Sequence, residues 1–374
     1  MLNRTLLLRA ALLLAAAPAL FRASWHQPRF VLPPKSGNES AVFFQNEFLP
    51  ATATAFVHGP SLAELPNGDL IAAWYGGSDE TRRDVWIYSS IRDRTGRWST
   101  PQKVEDGRNT EDAIEVGIKS VGNPVLFADD RGVTLFYVAI PFGGWSTGTI
   151  CMTTSRDGVR WSRPRRLAAS PFLNLGVLVR GRPLPYADGT LAVPMYFQLG
   201  RKGSGVLHVT RDGDVLDESR LEDSRPLIQP WMIPISADRA IALLRWSSQM
   251  PGCVRMVAMS RGGVEWSSVF GTPLVHRDSA IAGESLNDGS LLVAYNNTAW
   301  DRRDLSISRT PDAGWHWSKP HPIERDTTPD WNVRREYSYP YFYRSRDGLI
   351  HLLYSWRRSR IRHLIFNDAW AISR

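Results

Sequence analysis

Arg182 and Arg245 are the side chains in this sequence best suited to hold an anion. A guanidinium fork meets a carboxylate through two parallel hydrogen bonds, so arginine is the usual grip for an acidic ligand. Both follow or belong to apolar, strand-like runs, whereas the many other arginines read as solvated loop residues. His58, set between Val57 and Gly59-Pro60, has the residue type for proton transfer near neutral pH. Carboxylates for acid–base work are Glu80 and Asp84 in the segment Gly76–Asp84, then Asp278, Glu284 and Glu336. Each has a structural alternative. A lone histidine often sits satisfied in a core, and Arg82-Arg83-Asp84 recurs as Arg302-Arg303-Asp304, which suits aspartates that pair with arginines.

What must position these groups is a set of short strands. The 374 residues hold 29 Gly and 25 Pro scattered at turns and 15 Trp, and no long 3.6-residue periodicity appears beyond the N-terminus. The run Arg335–Trp356 shows the unit: an extended stretch, the turn Ser345-Arg346-Asp347-Gly348, and a second extended stretch. The turn and second stretch recur at Leu65–Trp74, Asp129–Tyr137, Ala187–Tyr196, Ala237–Arg245, Asn287–Tyr295 and Arg346–Tyr354. The turn positions Gly68, Gly132, Gly189, Arg239, Gly289 and Gly348 are 50 to 64 residues apart. Six units of about four strands at that period predict an all-β, six-bladed β-propeller.

A second repeat runs out of phase with the first. Thr310-Pro-Asp312-Ala-Gly314-Trp-His-Trp317 fits the pattern Ser/Thr-x-Asp-x-Gly-x-x-Trp, and Ser155–Trp161 is one residue short of it. Asp93–Trp98 keeps the Asp, Gly and Trp, Ser260–Trp266 lacks the Asp, and Thr210–Gly213 lacks the Trp. In such a turn Asp accepts backbone N–H bonds, Gly takes positive φ and Trp packs below, so these boxes are structural. On these boxes, on HGPSLAELPNGDLIAAWYGG and on EYSYPYFYRSRDGLIHLLYSW, residues from about Phe43 to Trp370 resemble the sialidase-like family of BNR/Asp-box repeat proteins.

In a propeller the first strand of each blade is innermost and begins at the mouth of the axial channel. Those starts are His58-Gly59-Pro60, Asn123-Pro124, Arg182-Pro183, Gln229-Pro230, Arg277-Asp278-Ser279 and Glu336-Tyr337-Ser338-Tyr339-Pro340. They should ring one polar mouth with Asn123, Gln229, Tyr339 and Glu284 as substrate contacts, and Arg357 should join from a second-to-third-strand loop. The resemblance implies that Tyr337 is a tyrosine nucleophile. A neutral tyrosine needs a carboxylate partner, and Glu336, Asp278 and Glu284 are the rivals; alternation along a strand disfavours Glu336. It also implies an acid/base in the first-blade loop, Glu80 or Asp84. One departure stands out. Sialidases open the first blade with Phe-Arg-Ile-Pro, whose arginine grips the substrate carboxylate, but here the segment is Val57-His58-Gly59-Pro60.

Met1–Ala19 reads as a cleavable export signal, with Arg4 and Arg9, an apolar run and Ala17-Pro18-Ala19; an uncleaved anchor is the alternative. Residues 20–40 read as a linker and 41–374 as the propeller, closed by strands from both chain ends. The net charge of +8 falls to +6 without Arg4 and Arg9, which favours an anionic partner. The basic residues form no nucleic-acid motif, two cysteines make no disulfide framework, and no metal or cofactor motif is present. The expectation is an exported, monomeric glycoside hydrolase acting on an acidic glycan. A lyase of uronic acid residues, with His58 and Tyr337 as base and acid, and a non-catalytic glycan binder are the alternatives.

Overall fold

The computed structural model describes residues 28–35, 41–169, 174–222, 225–248, 252–328 and 335–374. The expected signal segment and most of the linker lie outside the described residues. The chain forms six antiparallel sheets arranged as six blades. Blade 1 is Phe56–Glu64, Leu70–Gly77, Trp86–Arg92 and Gln102–Asp106; blade 2 runs from Ser120–Asp129 to Arg165–Arg166. Blade 3 begins with an interrupted inner strand, Val177–Val179 and Leu184–Pro185, and ends at Val215–Arg220. Blade 4 spans Leu227–Pro234 to Phe270–His276, and blade 5 spans Ala282–Ser285 to His321–Arg325. Blade 6 pairs Tyr337–Arg344, Ile350–Trp356 and Arg360–Phe366 in order, and Phe44–Phe48 adds the fourth strand.

The repeated turns explain the hairpins. Gly68, Gly189, Gly289 and Gly348 all take φ between 84° and 87°, a conformation that L side chains rarely adopt. The copy with Arg239 closes differently: the Ile235 and Ser236 amides both donate to the Arg239 carbonyl. Second strands such as Leu70–Gly77 and Gly132–Ile140 are buried along their whole length. A strand covered by a neighbouring blade on each face is buried on both, which is why these runs are apolar rather than alternating. The Asp boxes form as expected. Asp157 Oδ1 accepts from the Val159 and Arg160 amides and Asp312 Oδ1 from those of Trp315 and His316.

Part of the span read as a linker is docked. Phe30 is buried, stacks on Tyr186 at 5.2 Å and donates its amide to the Ala237 carbonyl. Cys151 and Cys253 are both free thiols. No helix among the described residues is long and apolar enough to cross a membrane.

The ring is closed by one strand and one carboxylate. Glu47, on Phe44–Phe48, accepts from Arg92 Nε (2.8 Å) and Trp98 Nε1 (2.9 Å) of blade 1 and meets His363 Nδ1 (2.9 Å) of blade 6. Burial opposes its charge, but His363, Trp98 and Arg92 outweigh burial and lower its pKa to about 2. A carboxylate depressed in the folded state adds stability above its unfolded pKa and loses it as pH falls through the folded value. Glu47→Gln is therefore expected to cost roughly 1–3 kcal/mol at pH 7. In urea titrations the gap to the native protein should shrink below pH 4.5 and vanish near pH 2; a gap that persists at pH 2 rejects the assignment.

Candidate active site at the axial mouth

Four inner strands break register at the same level: between His58 and Ser61, Gly122 and Val125, Ile228 and Trp231, and Ser338 and Tyr341. In each bulge the residue before the proline is left-handed: Gly59 at 58°, Asn123 at 48°, Gln229 at 51° and Tyr339 at 59°. A residue before proline prefers extended backbone. A non-glycine residue at positive φ costs of order 1–3 kcal/mol, and such strain gathers at functional sites. At Gly59 a Cβ would stand 2.7 Å from the Tyr75 ring, so glycine is required there for space as well as for φ. The bulges re-aim Asn123, Gln229 and Tyr339 out of the pleat and toward the axis.

Tyr339 occupies the centre of the result. Its ring lies 4.2 Å from His58 of blade 1, and its hydroxyl is 3.4 Å from Arg245 Nη1 of blade 4. Its carbonyl accepts from Arg180 Nη2 of blade 3 at 3.2 Å. The Arg180 and Arg302 guanidiniums stand 5.1 and 5.9 Å from its ring centre. Tyr337 is placed elsewhere. It is buried against Trp356, with its hydroxyl 3.4 Å from Arg357 Nε, in the packing of blade 6. Strand alternation turns Tyr337 and Glu336 to opposite sides, as expected, and the bulge then brings Tyr339 to the side of Glu336.

Carboxylates frame this centre. Glu80 Oε1 lies 3.7 Å and Glu336 Oε1 3.8 Å from His58 Nε2. Glu80 also accepts from the Tyr75 hydroxyl at 3.2 Å and pairs with Arg358 at 3.1 Å. Burial, followed by the nearby Glu80 charge, pushes the Tyr75 hydroxyl well above its ordinary pKa, so it stays a donor. Glu336 accepts from Ser338 Oγ at 2.7 Å and faces Arg302 at 3.4 Å. Asp278 binds Arg245 Nε at 2.5 Å, and its carbonyl accepts from Arg302 at 2.7 Å. Burial opposes the Arg245 charge, yet Tyr339 and Asp278 hold that guanidinium protonated. Behind it His276 is kept neutral, its pKa pushed down to about 3 by burial and then by Arg245.

The remaining expected residues divide. Gln229 accepts from Arg245 Nη1 at 2.8 Å, and both Gln229 and Asn123 donate to the Tyr196 hydroxyl. Asp84 is turned onto its own loop, accepting from the Ser78 amide and hydroxyl, both at 2.9 Å. Arg357, about two-fifths exposed, lies over Trp356 and beside Tyr337. Arg182 and Glu284 are spent on one another. They bind each other at 3.1 Å across the channel, from blade 3 to blade 5, with Glu284 fully buried.

Sequence reasoning missed Arg180. It is buried under the mouth, and its Nε and Nη1 have no hydrogen-bond partner among the described residues. Its signal was available: Arg180 directly follows the apolar run Val177-Leu178-Val179 and stands two residues before Arg182 at the same strand start. Three guanidiniums, Arg180, Arg245 and Arg302, thus converge on Tyr339.

The fold and this mouth define a six-bladed propeller with a polar axial site. The chain belongs to the BNR repeat-like domain family, whose model matches residues 68–352. Its fold is similar to that of a Hadza microbial sialidase, at TM-score 0.67 and 17% identity, covering 83% of this chain and 66% of that one, just under two thirds. A leech intramolecular trans-sialidase, complexed with 2,7-anhydro-Neu5Ac, aligns at TM-score 0.67 and 14% identity, covering 88% and 71%. A Penicillium chrysogenum α-L-arabinanase complexed with arabinobiose aligns at 0.61 and 13%, covering 88% and 99%. Curated proteins return no match.

Removing one member of a buried ion pair strands the other charge and costs about 3–5 kcal/mol. Glu284→Gln should therefore lower the denaturation midpoint sharply, while the double variant Arg182→Met/Glu284→Met recovers most of the loss. Equal destabilisation by single and double variants would show that the pair is not the cause.

Proposed function

We propose that the chain is a glycoside hydrolase that cleaves an acidic sugar at the axial mouth, with Tyr339 as nucleophile and Glu80 as acid/base. The observation that carries this reading is the placement of Tyr339, held in a left-handed bulge between Arg245, Arg180 and His58. Tyrosine is a poor nucleophile unless its phenolate is favoured. Arg245 beside the hydroxyl stabilises that anion, and His58 against the ring takes the proton. Glu336, 3.8 Å from His58 Nε2, stabilises the resulting imidazolium. The sialidase folds among its structural neighbours support a glycan substrate.

The steps follow. The sugar carboxylate sits on Arg180, Arg245 and Arg302. The Tyr339 oxygen bonds to the anomeric carbon as the glycosidic C–O bond breaks, and Glu80 gives its proton to the leaving oxygen. Glu80 then takes a proton from water, which attacks the anomeric carbon and releases the Tyr339 phenolate, His58 returns its proton to that oxygen, and configuration is retained. The close His58–Tyr339 pair also favours a second reading, β-elimination from a uronic acid. There His58 removes the proton next to the carboxylate and Tyr339 protonates the leaving oxygen. An unsaturated product absorbing in the ultraviolet marks the lyase; a new reducing end without absorbance marks the hydrolase.

A screen of the protein against acidic glycans, read by both signals, supplies the substrate. Tyr339→Phe is then expected to lower kcat by ~10³-fold or more, while Tyr337→Phe retains turnover within about threefold. The opposite ranking overturns the assignment. Glu80→Gln should lose ~10²–10⁴-fold on a natural glycoside and far less bond-cleaving rate on an aryl glycoside, whose leaving group needs no proton. An equal loss on both substrates removes Glu80 from the acid role.

A further inference from the structure

Glu80 is held by one of its two oxygens. Oε1 accepts from the Tyr75 hydroxyl at 3.2 Å, lies 3.1 Å from Arg358 Nη2 and faces His58 Nε2 at 3.7 Å. Oε2 makes no hydrogen bond or ion pair among the described residues. The side chain stays 30% exposed, so a ligand can reach it. Asp84, the other acid of the loop, is different: its two oxygens are both taken, by the hydroxyl and the amide of Ser78. A protonated carboxyl accepts through one oxygen and gives its proton from the other. Unequal treatment of the two Glu80 oxygens therefore decides which of them carries the proton.

Both partners of Oε1 are fixed by their own surroundings. Tyr75, in the second strand of blade 1, is buried edge-on to Phe56, His58 and Trp145, with ring centres at 5.9, 5.8 and 6.3 Å. Its ring also fills the space beside Gly59, so the hydroxyl has one place to be. Arg358 comes from blade 6, in the loop between Trp356 and Arg360. Arg357 and Arg358 both take left-handed backbone, at 51° and 53°, a conformation that L side chains rarely adopt. Two bonds hold the loop there. The Val57 amide donates to the Arg358 carbonyl at 2.8 Å, and the Arg357 amide donates to the Glu336 carbonyl at 2.8 Å. The Arg358 side chain, 6% exposed, lies over the Phe56 ring at 5.3 Å and has Asp79 Oδ1 at 3.9 Å as its second anion. Backbone strain gathers at functional sites, and here its product is a cation set against one oxygen of one acid.

We propose that Tyr75 and Arg358 are positioning residues for Glu80: they fix Oε1 as the acceptor, so the proton given to the leaving oxygen travels on Oε2. This rests on the acid role assigned to Glu80 above. Once the proton has gone, the carboxylate keeps the Tyr75 hydrogen bond and has the Arg358 charge beside it, so the same group stands ready to take a proton from water. The two partners belong to blades 1 and 6, so the acid is set only when the ring is closed.

The test compares the acidic glycan found in the screen with the 4-nitrophenyl glycoside of its reactive sugar, reading the bond-cleaving rate in the first turnover. Tyr75→Phe removes one oxygen and keeps the ring. It should lower the rate on the glycan ~10-fold or more and leave the rate on the aryl glycoside within about twofold. Arg358→Met should show the same split, and Arg358→Lys, which keeps the charge, should regain most of the loss. Tyr75→Phe added to Glu80→Gln should cost nothing beyond Glu80→Gln alone, because it acts through that carboxyl. Unchanged cleavage of the glycan by Tyr75→Phe, an equal loss on both substrates, or a double variant whose losses multiply overturns the proposal while Glu80 keeps its role. If the native protein cleaves no acidic glycan, or Glu80→Gln loses equally on both substrates, the acid assignment falls and this proposal falls with it.

Discussion

Blade 3 sends two arginines into the axis of this propeller, and the rest of the molecule is arranged to make that possible. Arg182 meets Glu284 of blade 5 at 3.1 Å in the channel, and Arg180, two residues earlier, reaches the Tyr339 carbonyl. Taking a charge out of water costs several kcal/mol, and only close, well-directed partners recover that cost. The partners here come from different blades, so the pair exists only when the ring is closed. Closure depends in turn on Phe44–Phe48 and on Glu47, which ties blade 6 to blade 1. Charge at the axis and closure at the rim are therefore two expressions of one constraint, and a blade that slips exposes both.

Strain at the mouth rests on that rigidity. Asn123, Gln229 and Tyr339 hold left-handed backbone before proline, a conformation that the isolated chain would leave. Each is held by partners on another strand or blade: Asn123 and Gln229 by Tyr196, and Tyr339 by Arg180 and Arg245. The side chains are thereby fixed before a ligand arrives.

The fold was legible because it is written six times. Turn glycines, apolar second strands and Asp boxes are local signals, and repetition separates them from chance. Even the closing strand could be placed, since a four-stranded sixth blade lacked one member. The site was legible only as a list of strand starts. Period-2 alternation handles Glu336 and Tyr337 correctly, but it carries no account of the extra residue at each proline. Proline inside an inner strand is itself the sign of a bulge, and reading it so would have moved the central tyrosine from Tyr337 to Tyr339. The pairing of Arg182 with Glu284 was not legible for another reason. Their pairing crosses the ring, and no sequence spacing encodes which blades face each other. Glu80 and Asp84 differ only by a loop bend that turns one onto His58 and the other onto Ser78.

The histidine at the start of blade 1 looks at first like a lost anion grip. A sialidase-like chain is expected to have arginine there, and His58 cannot supply a permanent charge. The structure answers with Arg180, whose guanidinium reaches Tyr339 from blade 3 and retains two donors without partners. Three guanidiniums still surround the central tyrosine, so the positive field survives while its source has moved. The exchange also changes what blade 1 offers. An arginine would only hold a carboxylate, whereas an imidazole 4.2 Å from a phenol ring and between two carboxylates can carry a proton. A mouth built this way keeps three guanidiniums around Tyr339 and gains a titratable group beside it.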